Sequence, residues 1–126
     1  MTTIEKNVEI AKLLDFKTNS QKTHWKFKGL NNSIFNELIT DIHNGWLSEL
    51  LKFHSNAEWQ LGAIEYIESL GYAFEYCNKQ CRIYDNKLSE GWTRERLCPV
   101  KENTAKEAIF ECLFQFSQYI KPLNNE

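Results

Sequence analysis

Residues 51–84 read LKFHSNAEWQLGAIEYIESLGYAFEYCNKQCRIY, and two repeat lengths meet inside them. Trp59, Ala63, Ile64, Ile67 and Leu70 recur at three- and four-residue steps, which makes one apolar face of a helix. Glu58, Glu65 and Glu68 lie off that face. Ser55 stands three residues before Glu58, the spacing of a capping box in which each side chain accepts from the other residue's N–H. Gly71 follows where a helix ends in positive φ, a conformation glycine takes without steric cost. The pattern predicts a helix over about 56–70. Past Gly71 the period falls to two. Tyr72, Phe74 and Tyr76 alternate with Ala73, Glu75 and Cys77; after a turn at Asn78-Lys79, Cys81, Ile83 and Asp85 alternate with Arg82 and Tyr84. That is a β-hairpin, with an aromatic face to lay on the helix.

The flanking segments read as wrapping. Thr3 is placed to cap a first helix whose face is Ile4, Val8, Ala11 and Leu14. Lys17 to Thr23 is a polar turn. His24-Trp25-Lys26-Phe27-Lys28, ending at Gly29, is a short strand with Trp25 and Phe27 inward and the lysines outward. Between 31 and 53, Ile34, Leu38, Ile42, Trp46 and Leu50 favour helix, but Asn44-Gly45 is a turn signal. The expectation is a short helix or turn near 33–43 and extended chain near 46–53. Asn86 to Asn103 has no clean period, and Trp92 to Cys98 is its candidate third strand. Thr104 and Glu107 repeat the capping-box spacing. Ala105, Ala108, Ile109, Cys112, Leu113, Phe116, Tyr119 and Ile120 form the apolar face of a last helix that Pro122 should stop. Phe110 and Phe114 fall off that face. Either the helix is buried on two sides, which is the favoured reading, or the pair is an exposed patch for a partner.

The string LKFHSNAEW…AIEYIESLGYAFEY, followed by C-x-IY and an amphipathic helix, resembles the phage ABA-sandwich domain proteins of gut Bacteroidetes, their phages and mobile elements. The likeness spans Leu51 to Trp59, Ile64 to Tyr72, the strand Tyr72 to Tyr76, and the helix Thr104 to Ile120. Ala57-Glu58-Trp59 departs from the family's tighter Ser-Trp-x-Trp run, and the Asn86 to Asn103 connection is longer. The resemblance implies an α-β-α fold and leaves function open. Together with the periodicity it gives one domain over 1–126: an α+β, three-layer α-β-α sandwich with a small, mainly antiparallel sheet and helices packed on it.

A chain of 126 residues buries roughly two-thirds of the surface its unfolded form exposes, so it folds without metal or disulfide. A net charge of −2 with mixed signs gives no electrostatic case for duplex DNA or an anionic membrane. Residues 1–20 lack the apolar stretch of a signal peptide, and no run approaches the ~18 apolar residues of a membrane span. The reading is cytoplasmic, with reduced cysteines.

Each chemical motif has a plainer alternative. Cys77-x3-Cys81 has an allowed zinc spacing, with Cys98 and a histidine to complete a site, but two cysteines facing each other across a hairpin is the simpler account. Cys112 sits on the apolar face of the last helix. His24, His43 and His54 are general-base candidates, His54 the best of them, yet none neighbours a nucleophile at motif spacing. Trp25 and Phe27 with their lysines, and Trp92 with Arg94 and Arg96, interleave aromatic and basic residues as single-strand nucleic-acid binders do; two amphipathic strands explain them as well. No phosphate loop or metal-protease motif occurs. The expected function is therefore a small non-enzymatic accessory protein of phage or mobile-element origin, acting on an unknown protein partner or as a homodimer, without cofactor or metal. A single-stranded nucleic-acid module using Trp25, Phe27, Trp92, Arg94 and Arg96 stands second. A metal-dependent or histidine-based hydrolase stands third.

Overall fold

The computed structural model describes residues 1–18, 21, 23–26, 46–85 and 96–124, with main chain only at 26, 46, 85, 96–99 and 121–124. Its elements are α1 (Thr3–Leu13), β1 (Lys17–Thr18), β2 (His24–Lys26), β3 (Trp46–Leu47), a 3-10 turn (Ser48–Leu50), α2 (Ala57–Ser69), β4 (Tyr72–Cys77), β5 (Gln80–Asp85), β6 (Arg96–Lys101) and α3 (Ala105–Asn124). The strands form two antiparallel sheets, β1-β2-β3 and β4-β5-β6. The protein is a small α+β sandwich, its helices packed on antiparallel sheet.

The helix over 56–70 is present as α2, but its cap is Asn56, not Ser55. Asn56 Oδ1 accepts from the N–H of Glu58 at 2.9 Å and of Trp59 at 3.2 Å. Ser55 belongs to the preceding turn, where its own N–H donates to the Lys52 carbonyl. Asn56→Ala should therefore cost about 1 kcal/mol and Ser55→Ala almost nothing, a contrast that thermal unfolding of the two variants measures. Gly71 ends the helix as expected, at φ 97°. The first helix also starts one residue early. Thr2 and Glu5 form a complete capping box, and those hydrogen bonds hold the Glu5 carboxyl below its ordinary value. At its far end Phe16 N–H reaches Ala11 O and Asp15 N–H reaches Lys12 O, a Schellman closure with Asp15 in the left-handed region at φ 62°.

The hairpin turns at Asn78 and Lys79, both at positive φ (50° and 64°), which is a type I′ turn. A two-residue loop pairs Cys77 with Gln80 and Tyr76 with Cys81. Cys77 and Cys81 thus sit on opposite faces of the hairpin, which corrects the expectation that they face each other. Both are free thiols. Tyr72, Cys81, Ile83 and Val100 are buried on one face, beneath α2 and α3. Ala73, Glu75, Arg82 and Tyr84 on the other are half or fully exposed. The expected third strand is present as β6, Arg96–Lys101, overlapping the expected Trp92–Cys98, whose first four residues lie outside the described residues. Between the pairs Cys81–Val100 and Ile83–Leu97 the β6 side holds an extra residue, a bulge at Cys98-Pro99. Proline has no N–H to give, and an edge bulge is where a strand tolerates it.

In the other sheet Lys17–Thr18, expected as turn, pairs with β2. Trp25 is inward as expected, while Phe27 and the helix or turn near 33–43 lie outside the described residues. The helix α3 runs through Pro122 to Asn124 instead of stopping there. Its Ala108, Cys112, Leu113, Phe116 and Ile120 enter one buried cluster with Ile10, Leu14, Trp59 and Ile67. α1 packs along α3, and Lys6 bridges to Glu111 at 2.7 Å.

Candidate functional site

The side chain of Asn7 is almost fully buried on the apolar face of α1 and is the anchor of the site. Its Oδ1 accepts from the N–H of Phe53 at 3.0 Å, a group that can only donate. The amide orientation is thereby fixed, and its Nδ2 faces Nδ1 of His54 at 2.9 Å. Nδ1 must then be the acceptor, so neutral His54 carries its proton on Nε2. Gln60, also buried, donates to the carbonyls of Phe53 and Lys106 at 2.8 and 2.9 Å. Two buried amides thus pin the 53–54 turn to α1, α2 and α3 at once.

This pinned turn forms one wall of an open cleft of about 280 Å³ that Lys6, His54, Glu102, Glu107, Phe110 and Glu111 line. The size is at the small end for ligand pockets and suits a side chain or a small polar molecule. The His54 ring meets Phe110 edge-on at 5.9 Å. Lys6 neutralises Glu111 and lies over the ring of Phe114 at 5.1 Å. Glu102 and Glu107 make no ion pair among the described residues. The cleft therefore presents an apolar floor, one fixed imidazole and an acidic rim.

The residues singled out in the sequence divide sharply. Trp25 is 3% exposed, with its indole N–H on Ser48 Oγ at 2.9 Å, so it offers no face to a base. This corrects its place in a stacking surface. Phe27, Trp92 and Arg94 lie outside the described residues, and Arg96 is described as main chain only, opposite Tyr84. Phe110 is buried and Phe114 half-buried, so they are not an exposed pair. His54 enters the cleft, His24 lies apart on β2 with its Nδ1 on Thr23 Oγ1 at 2.9 Å, and His43 is outside the described residues. Burial pushes the Cys81 thiol up to about 11, which marks it, like buried Cys112, as core packing. Among the described residues no three His, Cys, Asp or Glu groups are placed to hold a metal ion. None of the helices described is long and apolar enough to cross a membrane. Asn7 and Gln60 were not singled out in the sequence. Their signal was there: a polar amide inside, or beside, an otherwise apolar helical face.

No family model, no curated protein and no solved structure matches this chain.

Proposed function

We propose that the protein is a small non-enzymatic accessory or interaction module, and that its cleft takes a basic side chain of a partner protein. The observation that carries this reading is the pair Glu102 and Glu107, without ion partners among the described residues, beside the Phe110 floor. A lysine or arginine stem packs on an aromatic floor while its charge meets the rim. The test is recovery of partners from a lysate of the source organism, with and without nuclease, by wild type and by the variant Glu102→Gln/Glu107→Gln. A nuclease-resistant protein is expected, held about fivefold less tightly by the variant, since each exposed charge pair contributes ~0.2–1 kcal/mol. Equal recovery by both forms would remove the cleft from the reading. Nuclease-sensitive recovery would move it to nucleic acid and to Arg94 and Arg96.

A hydrolytic reading has one observation in its favour: His54 shares the cleft with carboxylates. However, Asn7 holds its Nδ1, so Nε2 offers a donor in place of a base, and no hydroxyl or thiol bonds to the ring among the described residues. The interaction reading rests on three groups that share the cleft, Glu102, Glu107 and Phe110, and is preferred.

A further inference from the structure

We propose that two copies of this chain pair edge to edge through β4, antiparallel, with the two-fold axis at Phe74. The sheet order β4-β5-β6 leaves β4 and β6 as edges among the described residues. These edges are built differently. Natural edges are blunted by bulges, prolines and lysines, because a row of outward N–H and C=O groups recruits further strands. The edge strand β6 has a bulge at Pro99. The other edge strand, β4, is six residues long, has a regular register along its whole length, and carries a single charge, Glu75.

The turn decides which groups face outward. In a type I′ hairpin the flanking pair, here Cys77 and Gln80, exchanges both main-chain hydrogen bonds, and bonded pairs alternate from there. Glu75–Arg82 and Ala73–Tyr84 are the next bonded pairs, so the N–H and C=O of Phe74 and Tyr76 point away from β5. Tyr76 is 42% exposed and Phe74 half-buried, so solvent reaches this stretch.

The sequence of β4 favours a second copy as the occupant. With Phe74 opposite Phe74 of the partner subunit, the outward groups exchange hydrogen bonds about the axis and the aromatic side chains stay on one face. Glu75 then lies opposite Ala73 of the partner subunit. Sliding the pairing by one step of two residues sets Glu75 against its own copy, and like charges directly opposite oppose pairing. A slip of one residue would turn the buried face outward. The Phe74-centred register therefore brings no like charges face to face.

Ala73 supplies a test whose sign depends on this register. Sedimentation over a concentration series should show wild type in monomer–dimer exchange. Ala73→Glu should weaken the dimer about fivefold, from two like-charge crossings at ~0.2–1 kcal/mol each, and Ala73→Lys should hold or tighten it. Equal shifts in the two variants, or a wild type that stays monomeric throughout, would overturn the proposal. Amide hydrogen exchange on wild type needs no variant to fold: protection at Phe74 and Tyr76 should rise with protein concentration, and fast exchange at every concentration would overturn it too.

Discussion

Trp59→Ala should lower stability by about 4 kcal/mol, a large share of what a domain of this size has to lose. The indole is 1% exposed and sits where three segments converge. It meets Phe53 edge-on at 5.1 Å and Phe16 at 6.4 Å, and Phe53 meets Phe16 at 5.9 Å. Phe16 closes the end of α1 and Phe53 opens the pinned turn, so the hole left by alanine borders both and cannot collapse without moving one of them. Leu61 lies on the same helix, 48% exposed, and Leu61→Ala should cost under about 1 kcal/mol. Thermal unfolding separates the two: a fall of about 10–20 °C for Trp59→Ala against a few degrees at most for Leu61→Ala. Similar falls in both would mean that α2 does not bury its Trp59 face.

That face was readable because a helix declares its buried side every three or four residues, and Trp59, Ala63 and Ile67 did so over more than two turns. The hairpin was equally readable from the change of period at Gly71. Local ambiguities were harder. Ser55 and Asn56 are both good caps, and no periodicity tells one residue from its neighbour; the turn that used Ser55 settled the choice. The relation of Cys77 to Cys81 was a matter of parity, since a two-residue loop makes residues three apart partners and throws residues four apart onto opposite faces. The cleft was not readable at all beyond His54. Asn7 and His54 are 47 positions apart, and Lys6 and Glu111 are 105 apart. Only the packing of α1 against the 53–54 turn and α3 brings such pairs together, and pattern within one segment carries no information about it.

Asn7→Ala should cost about 2–3 kcal/mol, far more than the loss of one surface amide. The side chain is 1% exposed, and its oxygen accepts from the Phe53 N–H at 3.0 Å. Without it a hydrogen bond made inside the core is lost, which costs roughly 1–3 kcal/mol, and a small void adds to that. His54→Ala removes the other end of the chain of hydrogen bonds, but His54 is exposed and water replaces it, so that variant should lose no more than about 1 kcal/mol. The asymmetry is the diagnostic: urea unfolding of Asn7→Ala, His54→Ala and the double variant should show the double costing little more than Asn7→Ala alone. A His54→Ala loss as large as that of Asn7→Ala would mean the imidazole, and not the Phe53 main chain, is what Asn7 is buried to hold. In the expected case the same residue that fastens the turn also fixes the imidazole in its Nε2–H form, so the cleft loses its one oriented hydrogen-bond donor on that wall when the fold loses its pin.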